Sequence, residues 1–131
     1  MRDLWIFLHL FGFTMWIGGG LGAMFISIAN KAAPRDQLGT VGRTLSAVYL
    51  RVIAPGAALV VISGMVLTMQ LMSAIGSGGG GSLSPWLMTM QGAGLVGAAL
   101  VLIVMLPAAS RIGRVDPVAN APAFDALRSR L

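Results

Sequence analysis

One histidine, nine methionines, four acidic residues and no cysteine leave this 131-residue chain a narrow chemical repertoire. His9 stands in an uncharged run, and neutral imidazole is the commonest protein ligand for haem iron and copper. An ionisable group inside an apolar span is a functional-site hypothesis by default; the plain alternative is an interfacial histidine bonded to water or a carbonyl. Trp5, one turn earlier, would crowd a large macrocycle on that face. Met65, Met69 and Met72 recur at helical spacing, and Met88 and Met90 open the next apolar run. Thioethers grouped with His9 would suit copper(I) or an axially methionine-ligated haem, whereas a methionine stripe on its own is adaptable packing. His9, Met69 and Met72 are therefore the candidate metal ligands. Asp3, Asp36, Asp116 and Asp125 all lie outside the apolar runs, so general acid–base catalysis by protein groups has almost nothing to work with. Absence of cysteine removes disulfides, thiolate metal sites and cysteine nucleophiles.

The elements that must position these groups are membrane spans. The chain is 56% hydrophobic and only 10% charged, against about 25% charged in ordinary soluble domains. Residues 4–29, LWIFLHLFGFTMWIGGGLGAMFISIA, carry no formal charge and are long enough to cross a hydrocarbon layer of about 30 Å. The first run is too long for the apolar core of a cleaved signal peptide, and its flank carries only Arg2 beside Asp3. A polar connection, AAPRDQLGTVGR, follows, with Asp36 placed to cap the next helix. The spacing of Val41, Leu45, Val48 and Val52 predicts that the second helix begins as an amphipathic turn or two before spanning residues 45–75. Pro55 inside it predicts a kink. Residues 76–84, GSGGGGSLS, have the composition of a flexible linker, and Pro85 and Trp86 open a third span over 86–109. In the polar tail, 110–131, Phe124, Leu127 and Leu131 predict a short amphipathic surface helix. The expected fold is thus all-α, a single membrane domain of three transmembrane helices.

Small residues mark where those helices approach one another. Gly12, Gly18, Gly19 and Gly22 lie in the first span, Gly64 in the second, and Gly94 and Gly97 in the third, with Gly18 and Gly22 in small-xxx-small spacing. Such faces serve close packing within a bundle or against a partner, and they also leave room for a flat cofactor. Ser63, Thr68, Gln70 and Gln91 are the candidate interhelical hydrogen-bonding groups. The net charge of +5 reflects topology rather than nucleic-acid binding, because the basic residues flank the spans without interleaved aromatics. With three spans, Arg2 alone lies on one side, and Lys31, Arg35, Arg43, Arg51, Arg111, Arg114, Arg128 and Arg130 lie on the other. That bias predicts an outside N-terminus and a cytoplasmic C-terminus.

The segment LHLFGFTMWIGGGLGAMF, followed by VYLRVIAPGAALVVISGMVL and the Pro-Trp-Leu that opens the third span, resembles a group of small bacterial membrane proteins. The group includes HemJ-type protoporphyrinogen oxidases and the membrane domain of CopD-like copper-resistance proteins. The resemblance implies an inner-membrane location and His9 as a haem b ligand. A lysine of the HemJ-like members is replaced here by Met90, with Gln91 beside it, and three spans stand where those enzymes have four. Both departures weigh against the oxidase activity.

The leading expectation is a non-catalytic subunit packing by its glycine faces against a larger membrane complex, such as an energy-transducing one, or against itself. The alternative from another class is a haem-b redox protein with His9 as axial ligand. A third is copper handling through His9 and the methionines.

Overall fold

The computed structural model of the chain describes residues 2–76 and 84–130, and every regular element among them is helical. The Gly/Ser segment expected to be a linker lies, from 77 to 83, outside the described residues. Three helices are long and apolar enough to cross a membrane: α1 (Arg2–Ala29), α2 (Arg35–Gly76) and α3 (Pro85–Ile112). A short α4 (Ala121–Arg128) follows. At about 1.5 Å per residue, the 28 residues of α1 or α3 extend about 42 Å, more than a hydrocarbon layer requires.

The 42 residues of α2 are far more than a span needs, and its first turns are of a different character from the rest. It starts at Arg35, ahead of the predicted amphipathic turns, with Leu38, Gly42 and Leu45 buried on one stripe and Arg43 exposed on another. Pro34 occupies the N-cap position and no side chain caps the helix; Asp36 sits in the first turn, where its charge complements the positive end of the helix dipole. Helix α3 opens with Pro85, whose missing N–H costs nothing in a first turn.

Both long helices after α1 contain a proline, and both prepare for it in the same way. Residues Tyr49–Ile53 and Val101–Met105 are π-helical, immediately ahead of Ala54-Pro55 and Leu106-Pro107. The Ala54 N–H donates to the Tyr49 carbonyl and the Leu106 N–H to the Val101 carbonyl, each reaching five residues back. A proline ring crowds the carbonyl one turn earlier and withholds a donor; a wider preceding turn makes room and re-partners the backbone.

Buried residues gather at the end of the bundle that carries the basic side chains. Ala23 of α1, Leu45, Tyr49, Ile53 and Ala57 of α2, and Val101 and Ala109 of α3 form the main core, with Trp16 and Met105 packed against it. A smaller cluster of Leu38, Ile112 and Phe124 joins α4 to the start of α2 and the end of α3. The tail helix expected from Phe124, Leu127 and Leu131 forms over Ala121–Arg128 with its Phe124 side chain only 1% exposed, while Leu131 lies outside the described residues. An exposed ion pair between Arg35 and Asp125 (3.2 Å) and a hydrogen bond from Arg128 to the Asn30 carbonyl (3.3 Å) tie it down. On α2 no described residue beyond Ser63 is buried, and on α3 none before Ala98.

Candidate functional site

Helices α1 and α2 run antiparallel in close contact because two glycines meet. A Cβ added at Gly56 would fall 2.8 Å from the Trp16 nitrogen and 2.9 Å from the Gly12 carbonyl oxygen. One added at Gly12 would fall 2.8 Å from the Leu59 Cβ. Neither position has space for any side chain. Toward the basic end, Gly19 receives Ile53 and Val52; toward the other, Gly64 receives the ring of His9, whose Cε1 lies 3.1 Å from where a Cβ would be. Gly97 of α3 is covered by the Trp16 indole at 3.2 Å.

This approach delivers His9 to Ser63. The imidazole Nδ1 lies 3.0 Å from the Ser63 Oγ, and Ser63 is 1% exposed. The serine hydroxyl points its single proton back into its own helix, donating to the Leu59 carbonyl with the Val60 carbonyl at 3.3 Å. With that proton engaged, the Ser63 oxygen can accept from an Nδ1–H of His9, an arrangement that keeps Nε2 for another partner. A histidine held at one nitrogen with the other available is arranged as metal-ligating histidines are. One turn further along α2, Thr68 donates to the Gly64 carbonyl (2.8 Å) and accepts from the Gln91 amide of α3. His9, Ser63, Thr68 and Gln91 thus form a polar seam joining all three helices in the sparsely packed half. Among the described residues no buried side-chain nitrogen or oxygen lacks a partner.

Several predicted site residues stay apart from this seam. Met69 and Met72 are 61% and 55% exposed, and Met65, Met88 and Met90 are similarly open, so these five side chains lie on the surface of the bundle. Among the described residues no group of three His, Asp or Glu side chains converges. The donor set accordingly fits a single axial ligand from His9 and offers no second imidazole. Of the glycines, Gly12, Gly19, Gly64 and Gly97 take part in helix contacts, whereas Gly18, Gly22 and Gly94 have nothing within 4 Å. Gln70 makes no side-chain bridge, while Gln91 does. Gly56, at the tightest point of the crossing, has no small residue four positions away to mark it, whereas Trp16 belongs to the first-span motif that carries the resemblance. The signal for Gly56 was its place with Val60 and Ser63 on one helical stripe, all three buried.

Comparison of the chain with family models, with curated proteins and with solved structures yields no match, so the resemblance to the HemJ-like and CopD-like group rests on the short motifs alone.

Proposed function

We propose that this chain is a non-catalytic, multi-pass subunit of the bacterial inner membrane that packs through unused glycine faces against a larger complex or another copy of itself. The observation that supports this reading is the split among the glycines. Gly12, Gly19, Gly56 and Gly97 are filled by neighbours within the chain, while Gly18, Gly22 and Gly94 have none within 4 Å. Leu21 and Phe25 beside the open pair are 50% and 66% exposed. In lipid, small residues gain their value by letting another backbone approach, and these are free to receive one. The charge distribution supports an outside N-terminus and a cytoplasmic C-terminus, and Pro55 behind its π turn supports a bend in α2.

The test is gentle solubilisation of the native protein and mass spectrometry of what co-purifies. Stoichiometric partners, or a homo-oligomer, that disappear in Gly18→Leu/Gly22→Leu while the thermal midpoint of the chain itself is kept would support the reading. A monomer with no partner in both forms would overturn it.

A second reading is favoured by one observation, the Nδ1 bond from His9 to Ser63 that leaves Nε2 available. On this reading His9 would hold the iron of haem b, which would supply one-electron chemistry, while Ser63 would orient the imidazole. It predicts a Soret band on the purified chain that His9→Ala abolishes. A colourless chain overturns it. No comparable observation favours copper handling.

A further inference from the structure

At the basic end, the amphipathic start of α2 and the end of α3 with the residues just after it flank an open cavity of about 280 Å³ whose lining includes Arg43, Ser46, Leu50, Arg51, Ser110 and Arg114. The two segments approach because Gly113 lacks a side chain: a Cβ there would sit 3.2 Å from the Ser46 Cβ. No acidic residue lines this cavity. Among the described residues the ion pair is Arg35 with Asp125, so the three guanidiniums here have no carboxylate partner. Arg43 gives one hydrogen bond to the Thr40 hydroxyl (3.1 Å) and keeps its other donors. An adjoining cavity of about 300 Å³ shares Arg43 and Arg114 but also has Asp36 and Asp116 on its wall, which disfavours an anion there. Charge therefore selects the first cavity.

Its height along the bundle is equally informative. Arg51 immediately precedes the uncharged run of α2 that continues to Gly76, and Ser110 closes the uncharged run of α3 just before Arg111. Both apolar spans end at this cavity, at the level where lipid phosphates lie. Leu50, 45% exposed, puts an aliphatic side chain on the same lining. Planar guanidinium forks match phosphate oxygens, and basic pockets between transmembrane helices at their basic ends recognise anionic head groups.

We propose that this cavity binds the phosphate group of an anionic phospholipid, held by Arg43, Arg51 and Arg114 with the Ser46 hydroxyl as a further donor, and with the acyl chains beginning along Leu50. A soluble phosphate ester shares the head-group chemistry; the position at the end of both spans and the aliphatic lining assign the lipid. The site requires neither a partner subunit nor haem.

The test is native mass spectrometry of the full chain in detergent, titrated with phosphatidylglycerol or phosphatidylcholine, with glycerol 3-phosphate as the soluble arm. The expected result is preferential retention of phosphatidylglycerol, weakened about fivefold by each of Arg51→Gln and Arg114→Gln. Arg130→Gln, which removes the same charge from the exposed tail, leaves the preference unchanged, and an Arg51→Lys/Arg114→Lys variant keeps much of it. All three guanidiniums belong to exposed residues, so these changes spare the core at Leu45 and Ile112. Three outcomes would overturn the proposal: a preference unchanged in both Arg51→Gln and Arg114→Gln, one lost equally in Arg130→Gln, or displacement by equimolar glycerol 3-phosphate.

Discussion

The two halves of the bundle are held together differently. At the basic end, Leu45, Ile53, Ala109 and Ile112 are each no more than 2% exposed. At the opposite end Leu71, Met72 and Trp86 are 43%, 55% and 73% exposed, and the helices are joined by the His9–Ser63 and Thr68–Gln91 hydrogen bonds. Lipid tails are as apolar as leucine, so burying one apolar helix against another in a membrane yields dispersion and fit rather than a hydrophobic gain. Where side chains interlock, that is sufficient. Where they do not, a few polar bonds set the register and leave the remaining surface to lipid or another protein.

The largest disturbance to this arrangement is expected from Gly56→Leu, which drives a side chain into the Gly12 carbonyl and the Trp16 nitrogen. It should cost about 3 kcal/mol or more, read as a lower midpoint of thermal unfolding in detergent. A wild-type midpoint would mean that the crossing is not where the halves join. A matched pair then compares the halves directly. Leu45→Ala, at 1% exposure, should cost about 2 kcal/mol, whereas Leu71→Ala, at 43%, should stay within about 0.5 kcal/mol. Equal losses would erase the distinction. Ser63→Ala should cost about 0.6 kcal/mol, a typical value for one interhelical hydrogen bond in a membrane protein, and a double-mutant cycle with His9→Ala isolates the bond. Nitrogen NMR of the imidazole should report an Nδ1–H tautomer in the parent and a mixture in the variant.

The smallest effect belongs to the connection between α3 and α4. Asp116 accepts hydrogen bonds from the Val118 and Ala119 N–H groups (2.8 and 3.2 Å), which hold its carboxyl below the usual aspartate range. Its contribution to the turn is present above the unfolded pKa and is lost as the pH falls through the lower folded value. Amide exchange at Val118 and Ala119 should accelerate on acidification in the parent and be independent of pH over that window, beyond the intrinsic chemistry, in Asp116→Asn.

Composition made the three apolar helices and the tail helix legible, because each is a property of a single segment. The pairing of faces is not such a property. Gly18 and Gly22 have the spacing associated with close packing and yet lie open, while Gly56 is the most crowded glycine. Periodicity fixes which residues share a stripe; the rotation of one helix against another decides which stripe is used. His9 was conspicuous from its type, but Ser63 lies 54 residues away and only the Gly12–Gly56 register brings them together. The prolines foretold a local irregularity, and the π turns that absorb it depend on backbone bonding that no side-chain pattern records. The eight basic residues at one end were read as topology; the cavity shared by three of them needed the approach at Gly113.

The tail clasp also has a meaning in time. Its bonds join residues 90 and 98 positions apart, and Phe124 leaves the ribosome only after all three spans have been made. Until then Leu38 and Ile112 lack the Phe124 ring that completes their cluster. A chain halted between α3 and α4 would leave the Leu38 and Ile112 side chains without the Phe124 ring that packs on them. Docking of α4 is therefore a late step in assembly, open only once α2 and α3 have both been made.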